Sequence, residues 1–247
     1  MFRRRRRVVT GFEPEASTSH PDQELKSTGG EVVVPVYIVC DESASMEPIG
    51  GIAAINRALS DLHAGIASDP FVSDMWHFGL ITFSDTAEEL MSLTKLNDVV
   101  AMPGLQARGM TNYRPVFDLL KQVISRDIAN LKSQGCEVFR PLVLFLTSGD
   151  PVDNPEWKDP YRLLMDKWTF RQYPNIIAIG FDGAQEQVIA EVGSLAAMIV
   201  DDPTDGPLDL ASVMKGVHDR LFRAVMAISS DFPMNIHGAR NIEIREI

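Results

Sequence analysis

The stretch IVCDESASM (38–46) sets one acid and two hydroxyls, Asp41, Ser43 and Ser45, two residues apart directly after an apolar run. Hard oxygen groups of this kind suit a divalent cation such as Mg2+. The same residues also fit a plain strand-to-helix loop, with Asp41 as a buried turn carboxylate and the serines as caps of the next helix. A third chemistry is phosphoryl transfer, with Asp41 as nucleophile and Mg2+ as cofactor. Enzymes of that kind use a second acid two residues on as general acid, where Ser43 stands, and a lysine near a later strand, where only Lys158 is at hand. Neither G-x-x-x-x-G-K-[ST] nor G-x-S-x-G occurs in the chain.

Two further loops carry oxygen groups. Thr111 lies in RGMTNYRP (108–115), ahead of a long helical pattern, and can equally be a cap for the helix that Arg114-Pro115 opens. Thr147-Ser148-Gly149-Asp150-Pro151 follows the apolar run VLFL. Other candidates are weaker. His20, His63, His77, His218 and His237 lack the H-x-x-H spacing of a zinc hydrolase. DDPTDGPLDL (201–210) has Asp201, Asp205 and Gly206, but Pro203 replaces one ligand of a calcium loop and Ser212 its terminal Glu, so it reads as a turn near a helix start. Trp76, Trp157 and Trp168 read as core or partly buried anchors.

The elements that must position these groups alternate. VVVPVYIVC (32–40) is apolar throughout, as a strand buried on both faces is, and Pro35 requires a place where no ladder donor is needed. Ile52, Ile55, Leu59, Leu62 and Ile66 form one helical stripe over 51–67. WHFGLITF (76–83) predicts a strand, and AEELMSL (87–93), after a tight turn at Ser84-Asp85, its antiparallel partner. A helix carrying Val116, Leu120, Val123 and Ile124 ends near Gly135. Then come a strand at 141–147, a helix over 157–172, a strand at 175–181, a helix over 184–194, a strand at 197–200 and a helix over 207–229. Alternation of this kind implies an α/β fold with a mostly parallel sheet. Open sheets of that class bind ligands beyond the carboxyl ends of their strands, where 41–45 and 147–151 fall. Residues 1–31 read as a disordered basic arm and linker, 32–230 as the folded domain, and 231–247 as an irregular tail with at most one short edge strand.

Composition narrows the partners. The chain has 247 residues and a formal net charge of −11. Residues 1–30 hold six bases, Arg3 to Arg7 and Lys26, against four acids, so the remainder carries −13. An acidic body argues against nucleic acid and fits a cation or a basic protein. The arginine run reads as a solvated arm, with contact to an acidic partner or membrane as the alternative. Cys40 and Cys136 are too far apart for a zinc knuckle and too few for a disulfide framework, which suggests a reducing cytosol. The start lacks the apolar run, about 7–15 residues, of a signal peptide, and no segment reaches the roughly 20 residues of a membrane span.

D-x-S-x-S after an apolar strand, a Thr in a glycine-containing loop before a helix, and a strand ending T-x-G-x-P resemble, in that order over 32–230, the von Willebrand factor A (vWA) domain. VPVYIVCDESASM, ITFSDTAEEL and PLVLFLTSGDPVDNPEW are most similar to the bacterial tellurium-resistance, TerY-type branch. The resemblance implies a doubly wound, six-stranded, mostly parallel sheet with one antiparallel edge strand and helices on both faces. It implies a metal-ion-dependent adhesion site (MIDAS). In it Ser43, Ser45 and Thr111 meet Mg2+ or Mn2+ through their hydroxyls, directly or by water, and Asp41 supplies charge and holds coordinated water. Ser148 stands where the family usually has an acid, with Asp150, or Asp153, in reach to compensate. The open position takes a carboxylate from a protein partner. The function implied is a non-enzymatic interaction module in a bacterial cytoplasmic stress or tellurium-resistance complex, with kinases, phosphatases or metal-stress proteins as partners. The alternatives are a metal-independent scaffold with a degenerate site and the phosphohydrolase built on Asp41.

Overall fold

The structure, a computed structural model, describes residues 30–66, 75–149, 151–181, 183–202 and 239–242. The basic arm, the helix expected over 207–229, most of 201–210 and Asp150 lie outside the described residues. Among the described residues there are eight strands: β1 (Val32–Asp41), β2 (Trp76–Phe83), β3 (Ala87–Lys95), β4 (Glu137–Val138), β5 (Leu142–Thr147), β6 (Asn175–Phe181), β7 (Ala196–Val200) and β8 (Ala239–Ile242). Four α-helices accompany them among the described residues: α1 (Gly51–Ile66), α2 (Arg114–Ser133), α3 (Lys158–Met165) and α4 (Glu186–Val192).

The strands form one sheet in the order β3-β2-β1-β5-β6-β7-β8, with β4 also beside β1. The pairs of β1 with β2 and β5, β5 with β6, and β6 with β7 are parallel. β3 pairs antiparallel with β2 through the turn closed by Ser84 N–H to Thr86 O, as the sequence predicts. The six expected strands are all there, β8 is the short edge strand the tail was read to allow, and β4 is an addition. β8 makes a second antiparallel edge, placing four residues of the expected tail in the sheet. Pro35 falls where the ladder on one side of β1 passes from β4 to β5, between Val33 and Val36, so its missing N–H meets a gap.

Both faces are apolar because successive residues of each strand point opposite ways. Val34, Val36, Ile38 and Cys40 of β1 pack with Leu142, Leu144 and Leu146 of β5 and with Ile55, Leu59 and Leu62 of α1. Tyr37 and Val39, with Val143 and Phe145, meet Val116, Phe117, Leu120 and Ile124 of α2 on the other face, where α3 and α4 also pack. A polar tie crosses that second layer. The Tyr37 hydroxyl donates to Asp127 Oδ2 at 3.0 Å, and Arg126 bridges Asp127 to both carboxylate oxygens of Glu89 on β3. Burial pushes the Asp127 carboxyl and the Tyr37 phenol up, while Arg126 holds Glu89 down.

Three expectations are corrected. The helix expected over 157–172 stops at Met165, because Asp166 accepts from Trp168 N–H at 2.9 Å and from Thr169 Oγ1 at 2.7 Å, a local turn that competes with the helix. The helix over 184–194 is trimmed at both ends, since Gln185 and Gly193 are extended. Trp76 and Trp157 are core residues, whereas Trp168, carried on the Asp166 turn, is 77% exposed.

Candidate metal centre at the strand ends

The sheet order turns outward on both sides of β1, so the carboxyl ends of β1 and β5 open side by side. Asp41 ends β1 and Thr147 ends β5. The Asp41 side chain is fully buried, and hydrogen bonds occupy both of its oxygens. Oδ1 accepts from the Ser43 amide at 2.8 Å. Oδ2 accepts from Thr147 Oγ1 at 2.8 Å, the Ser148 amide at 3.0 Å and Ser148 Oγ at 3.1 Å. Ser45 Oγ lies 2.8 Å from Ser43 Oγ, 2.9 Å from Ser148 Oγ and 3.5 Å from Thr111 Oγ1. The sequence-expected Asp41, Ser43, Ser45, Thr111 and Ser148 are thus brought together from three loops. Ser45 is exposed, while Ser43, Thr111 and Ser148 are buried, so the cluster opens to solvent at Ser45.

A carboxylate only accepts, which fixes the direction of these bonds. Ser148 gives its proton to Asp41, so Ser45 donates to Ser148 and Ser43 to Ser45. Thr147 also gives its proton to Asp41, and so the Tyr113 hydroxyl, 2.9 Å away, donates to Thr147 Oγ1, as does the Gly149 amide at 3.0 Å. Two lines of hydroxyls therefore end on one carboxylate oxygen.

The loop that carries Thr111 is fastened on every side. Asn56 on α1 exchanges two bonds with the Leu105 backbone, at 3.0 and 2.8 Å. Arg108 N–H donates to Glu42 O, and Ala44 N–H to Gly109 O at 3.0 Å. Asp85 Oδ1 accepts from Met110 N–H at 3.1 Å, and Asn112 N–H donates to Ser84 O at 3.1 Å. Gly109 has φ +66° and would bring a Cβ to 2.5 Å from Asp85 Oδ2, so no side chain fits there. Glu42, buried beside Asp41, is neutralised by Arg108 at 3.0 Å.

Asp153, expected as a compensating acid, has another role. Its Oδ1 accepts from Tyr113 N–H at 3.0 Å and its Oδ2 from Arg114 N–H at 2.7 Å, capping the start of α2 from a distant loop. Val152 N–H donates to Thr111 O at 2.9 Å, which ties the same two loops together. Capping by Thr111 is not seen, since Tyr113 holds the N-cap position of α2. Nor do the serines cap: Ser43 precedes the single turn Ala44–Met46 with no side-chain capping bond, and α1 starts only at Gly51. Tyr113, Thr147 and Asp85 are supporting residues that sequence reasoning did not pick out, and Asp153 is picked out there for a different role. Only Thr147, inside the quoted T-S-G, stood next to a visible signal.

Oxygen spacing is the test of fit for a cation. Mg2+–oxygen distances of about 2.0–2.1 Å put neighbouring ligand oxygens of an octahedron about 2.9 Å apart. The 2.8 and 2.9 Å spacings from Ser45 Oγ match that edge, and the 3.5 Å spacing to Thr111 is looser. Among the described residues no group of three or more His, Cys, Asp or Glu forms a metal cluster, so the candidate donors are hydroxyls around one carboxylate.

Comparison with protein-family models and with curated proteins finds no match. Solved structures do match. A von Willebrand factor type A protein from Catenulispora acidiphila aligns with a TM-score of 0.55 and 12% identity, over 75% of this chain and 42% of that one. The pilus adhesin SpaC from Lactobacillus rhamnosus GG aligns at 0.51 and 12% identity, over 80% and 31%. Proximal thread matrix protein 1 from the mussel byssus, solved with a zinc-occupied MIDAS motif, aligns at 0.50 and 13% identity, over 75% and 47%. The chain spans less than half the length of each. Its fold is that of the von Willebrand factor type A domain, a doubly wound α/β sheet. No described helix is long and apolar enough to cross a membrane.

Proposed function

We propose that this chain is a non-enzymatic protein-interaction module that binds an acidic side chain of a partner through a divalent cation, Mg2+ or Mn2+. The cation would sit at Ser43, Ser45, Thr111 and Ser148, with Asp41 behind them and Asp150 the further acid in the same loop. The observation that carries this reading is the convergence of those four hydroxyls on a rim that opens to solvent, with Ser43 and Ser148 at octahedral-edge spacing from Ser45 and Thr111 farther off. A bound cation supplies a Lewis-acidic position for the partner's carboxylate. The resemblance to the TerY-type branch favours a bacterial cytoplasmic stress or tellurium-resistance complex, with kinases, phosphatases or metal-stress proteins as partners. The folded module would extend over 32–230 together with the edge strand at 239–242, with an N-terminal arm before it.

A metal-independent scaffold is favoured by one observation: the hydroxyls already satisfy one another and Asp41 without an ion. A phosphohydrolase is disfavoured, because the would-be nucleophile Asp41 is fully buried and its two oxygens accept four hydrogen bonds. Calorimetric titration with Mn2+ in the presence of N-acetyl-aspartate amide decides between the first two. The expected result is saturation near one equivalent, abolished in Ser43→Ala/Ser45→Ala and by chelator. Absence of binding in the wild type would leave the metal-independent scaffold.

A further inference from the structure

A second surface lies at the other end of the sheet from the rim. Arg140 precedes β5 and Tyr173 precedes β6, and the Asn175 amide donates to Pro141 O at 2.8 Å, so both residues stand at the amino ends of their strands. β5 separates that end from the rim by about 17 Å along the strand. The loop between α3 and β6 is built rather than slack. Asp166 accepts from Trp168 N–H and Thr169 Oγ1, Phe170 N–H donates to Asp166 O at 2.7 Å, and Tyr173 N–H donates to Phe170 O at 3.1 Å. Phe170 anchors the loop in the core, with Lys121 over its ring. Held this way, the loop presents Trp168 to solvent, where Trp76 and Trp157 are buried.

The same loop is a basic island on an acidic chain. Lys167 Nζ lies 5.8 Å from the centre of the Trp168 ring, and the Arg140 guanidinium stacks on the Tyr173 ring at 3.9 Å. Lys167, Arg171 and Arg140 are exposed and form no ion pair among the described residues. Asp166 is the one acid between 166 and 173, and both its carboxylate oxygens serve its own turn. Asp159 and Asp118 lie against Arg162 and Arg114, and Glu137 is the acid nearest Arg140 in sequence. A rigid, exposed indole among unpaired cations has the composition of a binding hot spot, in which Trp, Tyr and Arg predominate. Its rigidity lowers the ordering cost of association.

We infer that Trp168, with Lys167, Arg171, Arg140 and Tyr173, forms a docking surface for a short acidic segment of a protein partner that carries an apolar side chain between its acids. The apolar side chain covers the indole, and the acids pair with the three cations. No ion at the rim is needed, so this surface is independent of the function proposed above. A nucleic acid fits less well. Stacked bases need ring faces, and a cation already lies over one face of both Trp168 and Tyr173. A long polyanion also meets the net charge of −11, whereas a short segment touches the basic island alone.

The test is fluorescence anisotropy of a fluorescein-labelled peptide, Glu-Glu-Phe-Asp-Glu-Glu, titrated with the full chain in the presence of chelator. Saturable binding is expected, weakening as sodium chloride rises from about 0.05 to 0.3 M and unchanged in Ser43→Ala/Ser45→Ala. Trp168→Ala is expected to weaken it by about tenfold or more, and Trp168→Phe to restore part of the loss. Arg140→Gln/Arg171→Gln is expected to weaken it and to flatten the salt dependence. The unlabelled peptide should also shield Trp168, lowering acrylamide quenching of the wild-type fluorescence. Binding that Trp168→Ala leaves unchanged, or no saturable binding, overturns the inference. Binding that needs Mn2+ and is lost in the serine double variant also overturns it, and assigns the peptide to the rim instead. Stronger binding of oligothymidine or of phosphatidylserine vesicles than of the peptide overturns the choice of partner. Shielding of Trp168 that grows with protein concentration alone overturns it in favour of a second copy of the chain. Where the peptide does bind here, Trp168→Ala/Arg171→Gln is the background in which the rim is measured apart from this surface.

Discussion

Thr147 bears more of the site than its place in the T-S-G triplet suggests. Its oxygen accepts from Tyr113 and Gly149 and passes its own proton to Asp41. Tyr113→Phe removes one of two donors to a neutral oxygen. Its ring stays among Phe83, Phe117, Phe145 and Trp157, where edge-on contacts hold it. That substitution is expected to cost about 1 kcal/mol, the ordinary net value of a hydrogen bond. Thr147→Val strips a donor from a buried carboxylate, for which about 1.5–3 kcal/mol is expected. Urea unfolding of both variants checks the order, and a Tyr113→Phe cost as large as that of Thr147→Val would contradict this direction of proton donation.

The element that places Thr111 is α2, and its first turn is held by an acid from another loop. Free amides at a helix start want a negative oxygen, and a local side chain normally supplies it. Here Tyr113 occupies the cap position, so Asp153 reaches across with both oxygens. Asp153→Ala is expected to cost about 1–2 kcal/mol of stability. It should also weaken ion binding by loosening the Thr111 loop, which Val152 N–H fastens to the same segment. Asp153→Asn keeps an acceptor and should recover part of the stability. If Asp153→Ala unfolds as easily as expected but binds Mn2+ as the wild type does, the cap and the site are independent. This arrangement explains what the sequence can tell. The strands are legible because burial on both faces leaves unbroken apolar runs, as in 32–40 and 141–147. Asp41, Ser43, Ser45 and Ser148 are legible because they follow those runs at short offsets, and Thr111 because it stands just before a long helical pattern. Asp153, Asp85 and Tyr113 act across forty or fewer residues through one or two side-chain hydrogen bonds each, which leave no periodic trace. The overlong helix at 157–172 has the same origin, since the Asp166 turn breaks no hydrophobic pattern and reveals itself only in side-chain geometry.

At the scale of the whole molecule the charge works against the acidic partner proposed for the rim. The chain carries a formal net charge of −11, and an acidic ligand approaching the Ser45 opening meets that field before it meets the ion. The screening length is about 30 Å at 0.01 M salt and about 10 Å at 0.1 M, so repulsion by distant acids fades over that range while contact with the ion, at close quarters, is screened much less. With Mg2+ held at saturation, the association rate of an acidic peptide is therefore expected to rise as sodium chloride goes from 0.01 to 0.1 M, on that scale of screening. Ion binding itself should move the opposite way, because the same acidic field concentrates Mg2+ near the rim at low salt. Stopped-flow association beside calorimetry of the ion separates the two trends. A peptide rate that instead falls with salt would mean that a local basic group, with Arg108 and Arg114 on either side of Thr111 in the sequence as the candidates, governs the encounter. Neutralising those two arginines would then have to abolish the salt dependence.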